Sequence, residues 1–74
     1  MNEPTNEDRK KWITKTLDAF CTAVDNRMFK GEETDITDLL ADLMHFCHSD
    51  EIDFKSRLRM AENHFIEEME EEKP

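Results

Sequence analysis

Glycine is nearly absent from this chain. Gly31 is the only one in 74 residues. Phosphate-cradling loops and Walker patterns need several glycines whose backbone approaches the phosphates, so nucleotide chemistry of that kind is excluded. Cysteine is scarce too, with only Cys21 and Cys47. Both fall on the apolar sides of expected helices, where a free thiol behaves as a small hydrophobe. A single disulfide between them is the alternative; two reduced core thiols is the favoured reading, and it fits a cytoplasmic protein. No apolar run approaches the ~18 residues of a membrane span, and no signal-peptide h-region is visible, so neither is expected. Nothing alternates with period two over a useful length, which leaves strands without support. Repeats are missing as well.

Basic charge is the last shortage. Ten Lys and Arg face nineteen Asp and Glu, a formal net charge of −9. The imbalance is local. Residues 1–29 hold five acids and five bases, a balance of zero. Residues 30–53 hold eight acids against Lys30 alone, or −7. Residues 54–74 hold six acids and four bases, or −2. Such a field repels nucleic acid and anionic lipid and attracts basic surfaces. It also keeps a small protein soluble, which is the simplest use of acidic charge.

What is present is amphipathic helix. The clearest stretch is Ile36–Cys47, ITDLLADLMHFC. At 100° per residue, Ile36, Leu39, Leu40, Leu43, Met44, Phe46 and Cys47 share an arc of roughly 160°. Asp38, Asp42, His45 and His48 lie opposite. This helix is expected over about 35–48, starting at Thr34 or Asp35. A first helix is expected over about 7–28. Thr5 followed by Asp8 resembles a capping box, with Glu7 and Asp8 in the favourable first turn. Its core arc is Ile13, Leu17, Phe20, Cys21, Val24 and Met28. Gly31 beyond it suits a left-handed C-cap. A third helix is expected over about 53–70. Asp53 is its N-cap, Ile52 stands at the staple position, and Phe54, Leu58, Ala61, Phe65 and Met69 form a narrow stripe. Glu67, Glu68, Glu70, Glu71 and Glu72 crowd its C-terminal end, where the helix dipole disfavours acid, so fraying is expected there. Tails 1–5 and 71–74 are expected to be disordered. The fold class is therefore all-α: one domain, a small three-helix bundle with antiparallel neighbouring helices joined by short connections.

Candidate sites are few. Asp42, His45 and His48 share a face and offer oxygen and nitrogen ligands to a divalent metal. Cys47 points the other way, so a four-ligand structural site is not completed, and two solvated histidines near a helix C-terminus is the simpler reading. Neither Cys nor Ser has an evident base and orienter, so nucleophilic catalysis is not expected. Paired carboxylates such as Asp38 and Asp42 lie on an open face with no apolar pocket to raise one pKa. The chain reads as a non-enzyme with no cofactor. A small DNA-binding regulator is the alternative: Arg9, Lys10, Lys11 and Lys15 on the first helix and Lys55, Arg57 and Arg59 on the third are basic, but the net field opposes a polyanion. Pairing of these bases with acids three or four residues away is the ordinary explanation.

Interaction surfaces carry more weight. Beside the core arc of the first helix runs a strip of Trp12, Thr16, Ala19 and Ala23. Small residues permit close helix approach, and Trp is a common anchor, so the strip reads either as an interface for a protein partner or a second copy, or as extra buried surface. The acidic row of Asp35, Asp38 and Asp42, with its flanks, can imitate a phosphate backbone for a basic nucleic-acid-binding protein; a solvated polar face is the plain alternative. The stretches Asn6–Arg9, Asp38–Cys47 and Ile52–Phe65 give the chain a resemblance to a group of short helical proteins encoded in phages, prophages and plasmids of proteobacteria. A glycine often precedes the Ile-Asp-Phe segment in that group, where Asp50-Glu51 stands here. The resemblance implies a mobile-element accessory protein that binds and modulates a host protein, such as a defence nuclease or polymerase. It carries over no functional residue.

Overall fold

A computed structural model describes residues 4–72. Three helices follow one another: α1 over Asn6–Asp25, α2 over Glu33–Ser49 and α3 over Phe54–Glu71. They pack on each other as a small all-α bundle. Among the described residues no strand occurs.

The starts of α1 and α3 follow from their caps. The Thr5 hydroxyl accepts from the Asp8 N–H at 3.1 Å, and the Thr5 N–H donates to the Asp8 carboxylate at 3.1 Å. That is the full reciprocal box, and it satisfies two otherwise orphaned donors. These bonds hold the Asp8 carboxyl below its usual pKa. Asp53 caps α3: its carboxylate accepts from the Ser56 N–H at 3.2 Å and the Ser56 hydroxyl at 2.8 Å. The same bonds lower its pKa. α2 starts after Glu32, which makes no side-chain cap.

The helix ends differ more from the sequence-based bounds. α1 stops at Asp25, before the expected Met28, and the left-handed residue is Asn26 (φ 50), not Gly31. The Asn26 N–H donates to the Thr22 carbonyl at 2.9 Å. Asn tolerates this region because its short polar side chain bonds locally. Gly31 also has positive φ, 86, but sits inside the connection. α2 closes in a complete Schellman turn: Ile52 N–H to Cys47 O at 2.8 Å and Glu51 N–H to His48 O at 3.3 Å. The left-handed residue there is Glu51, φ 58, at the position where glycine would be unstrained.

The third surprise is where α3 ends. Its last turn was expected to fray, yet it is helical through Glu71. Glu68 pairs with Arg9 at 3.0 Å, the Asn6 side chain donates to the Glu68 carbonyl at 3.3 Å, and the Glu72 carboxylate accepts from the Asn6 N–H. Glu68 and Glu72, two of the acids disfavoured by the dipole of α3, lie against the positive end of the dipole of α1. Thus 4–5 and 71–72, expected as tails, are cap and helix end; the tail expectations for 1–3 and 73–74 lie outside the described residues.

This contact fixes the arrangement. In a tightly parallel-sided bundle α1 and α3 point the same way, and the start of α1 lies a helix length, about 27 Å, from the end of α3. Here those two ends touch. The three helices, roughly 30, 25 and 27 Å long at 1.5 Å per residue, therefore turn back on each other but splay, meeting mainly near their ends. The radius of gyration is 14.3 Å, against about 11 Å for a compact chain of this length.

Splaying leaves the stripes poorly covered. Among the described residues Leu17, Cys21 and Cys47 are the buried apolar ones. Phe20, Leu39 and Phe54 are half-buried. The remaining members of the expected core (Ile13 and Val24 on α1 and Met28 just after it; Ile36, Leu40, Leu43, Met44 and Phe46 on α2; Leu58, Ala61, Phe65 and Met69 on α3) are exposed. Periodicity placed them on the inner faces of the helices, but helices touching near their ends cannot cover their middles.

Candidate interaction surfaces

The best-ordered polar cluster joins α1 to α2. Arg27, just after α1, donates to both carboxylate oxygens of Asp35 at 3.1 and 2.5 Å and to Asp25 at 2.8 Å. Asp35 is 3% exposed. The bidentate Arg27 contact holds the Asp35 carboxyl below its usual pKa against the opposing effect of burial. It also holds the Arg27 guanidinium firmly protonated. Asp18 on α1 accepts from the Phe29 N–H at 3.0 Å, pinning the same connection. Asp35 was expected on the partner-facing acidic row. Its carboxylate is instead engaged by Arg27 inside the protein, and it does not cap α2.

Cys21 lies beside this pair and is 0% exposed. Burial pushes its thiol pKa up, and the charge of Asp35 adds to the effect. A nucleophilic cysteine needs the opposite environment. Cys47 is also buried, and both thiols are free, in line with the reading of two reduced core cysteines. The cluster is a clasp between helices rather than a reactive site.

Asp38 and Asp42 are on the exposed face of α2. The ion pairs among the described residues are Arg9–Glu68, Arg27–Asp25 and Arg27–Asp35. None of them neutralises Glu33, Asp38, Asp42, Asp50 or Glu51. The bases of α1 and α3 were expected to pair with acids on their own helices at i,i+3 or i,i+4. Instead Arg9 reaches across to α3, and Lys10, Lys11, Lys15, Lys55, Arg57 and Arg59 stay out of ion pairs among the described residues.

His45 and His48 are exposed on α2 with Asp42. No group of three or more His, Cys, Asp or Glu side chains close enough to hold a metal occurs among the described residues.

Trp12 is 55% exposed, and Thr16, Ala19 and Ala23 are exposed with it. Of the two readings of this strip, extra buried surface does not describe the single chain: it lies open. Thr16 donates its hydroxyl to the Trp12 carbonyl at 3.1 Å, which keeps that polar atom within the helix. Around Trp12, Lys10, Lys11 and Lys15 edge a shallow depression with Glu7 and Thr14.

The surface that sequence reasoning missed lies between α2 and α3. Leu40, Leu43, Phe46, Ile52, Leu58 and Ala61 line an apolar groove of about 450 Å³, and Arg57 is its one charged lining residue. Leu40, Leu43, Phe46, Leu58 and Ala61 were placed in the core on period alone, and Ile52 at the staple position of α3. The signal was present as apolar stripes, but only helix placement says whether a stripe is covered. Among the described residues no helix is long and apolar enough to cross a membrane. No family model, no curated protein and no solved structure matches this chain.

Proposed function

We propose that the chain is a small, acidic, non-enzymatic protein-binding module that modulates a host protein as an accessory of a mobile element. The observation that carries this reading is the unneutralised acid of α2. Asp38 and Asp42 project from a rigid helix with no intramolecular cation among the described residues, and Glu33, Asp50 and Glu51 extend the charge to both ends. A fixed row of carboxylates steers a basic surface to itself and repels polyanions and like-charged proteins. A basic, nucleic-acid-handling protein is the partner class it fits. Trp12 with its exposed small-residue strip adds an apolar anchor on α1.

The test is affinity capture from host lysate with washes at low and high salt, using the natural chain and an Asp38→Lys/Asp42→Lys variant. Capture of a basic protein that high salt releases and the variant loses is expected. Capture indifferent to both salt and the substitutions refutes the acidic-face reading.

A further inference from the structure

The chain as a single copy exposes more surface than a folded protein of its mass should. Its accessible area is 6615 Å² at 8.8 kDa. Folded monomers of that mass expose about 4,800 Å². The excess is about 1,800 Å² over the whole chain, and part of it lies on the α2–α3 face, where Leu40, Leu43, Phe46 and Leu58 are all about half exposed. Standard complexes bury about 800 Å² per partner, and obligate homodimers roughly 1,000–2,500 Å² per chain. The excess falls within the obligate range.

We propose that this face is the interface of an obligate homodimer, in which a second copy of the chain covers the α2–α3 groove about a two-fold axis. Three lines of argument select a second copy over another protein. First, a core of Leu17, Cys21 and Cys47 is too small to hold 74 residues together. The missing burial must be supplied whenever the chain folds, and another copy is the one partner always present. Second, the face is self-complementary in chemistry. Its lining is apolar apart from Arg57, so two copies brought together at a net charge of −9 each do not set carboxylate against carboxylate at the contact. A two-fold axis pairs identical patches, which an apolar groove flanked by helix ridges can satisfy. Third, Asp38 and Asp42 occupy the other arc of α2 and stay in water when the groove is covered. The dimer is therefore independent of the acidic-face reading and leaves that surface free on both copies.

The experiment has two parts. Sedimentation equilibrium of the full chain from about 1 to about 100 µM, with thermal melts over the same range, should give twice the 8.8 kDa chain mass and a melting temperature that rises with concentration. A mixed sample of isotope-labelled and unlabelled chain should then show intermolecular NOEs between the Leu40 and Leu43 methyls and the Phe46 ring. Leu43→Glu should weaken the dimer by at least about a hundredfold, because it buries an unpaired charge in the contact. Asp38→Lys should leave the mass unchanged. Because loss of the dimer in Leu43→Glu is also the result of simple unfolding, the NOEs on the natural protein decide. A monomer with concentration-independent melting overturns the proposal. So does a dimer whose intermolecular NOEs fall elsewhere, for example at Trp12, and so does a larger oligomer. Failure of salt-sensitive capture with the dimer intact overturns only the acidic-face reading.

Discussion

Glu51→Gly should stabilise the protein, and its size can be worked from the backbone. Glu51 sits at φ 58, closing the Schellman turn between α2 and α3. An L-residue with a Cβ holds that conformation at a cost of about 1–2 kcal/mol relative to its preferred regions. Glycine removes the clash but adds freedom to the unfolded chain, which takes back about 0.5–1 kcal/mol. The net gain is about 0.5–1 kcal/mol. With an unfolding entropy near 2.1 cal/mol/K per residue, that raises Tm by roughly 3–6 °C. The assay is thermal unfolding by circular dichroism at one fixed protein concentration, so that any self-association contributes equally. Two controls separate backbone from charge, because Asp50 and Asp53 flank this position and loss of a negative charge could also help. Glu51→Ala removes the charge and keeps the Cβ, so it should leave Tm nearly unchanged. Glu51→Asn should fall between Ala and Gly, since Asn enters the left-handed region more readily. Glu51→Ala stabilising as much as Glu51→Gly would show that electrostatics, not φ, sets the effect. Glu51→Gly lowering Tm would refute the turn geometry outright.

Other outcomes follow from the polar contacts. The Asp35 carboxyl is held below its unfolded value by Arg27. Its contribution is therefore present above about pH 4 and is lost as pH falls through the depressed folded value. Asp35→Asn should lower Tm at neutral pH and flatten the acid limb of the Tm–pH curve; an unchanged acid limb would mean that Asp35 does not govern it. Cys21 has a raised thiol pKa through burial, so it should react far more slowly with a thiol reagent in the native state than after denaturation, and equal rates would place it at the surface. Removing the α3 cap with Asp53→Ala should lower Tm by roughly 3–6 °C, read by the same melt, whereas no loss would mean the Ser56 contacts are dispensable.

Sequence alone determined the three helices and the starts of α1 and α3, whereas α2 begins at Glu33, ahead of the expected Thr34 or Asp35. Thr5–Asp8 and Asp53 act through neighbours three residues away, so their capping is written locally and survives any tertiary arrangement. The apolar stripes were equally legible, because period 3.6 is a property of one helix. Helix ends were less so. Asn26 rather than Gly31 ends α1, and the next residue, Arg27, reaches Asp35 on the following helix. The acidic face was only partly legible: Asp38 and Asp42 remain in solvent while Asp35, one turn earlier, is drawn inward by that same arginine. Tertiary structure alone decided how the stripes are covered. Glu68 and Glu72 tie the end of α3 to the start of α1, and an apolar groove lies open between α2 and α3. A periodic pattern says which side of a helix seeks cover. Whether cover comes from the same chain depends on the angles between helices, and period says nothing of those: the contacts between elements join residues as far apart as Asn6 and Glu68.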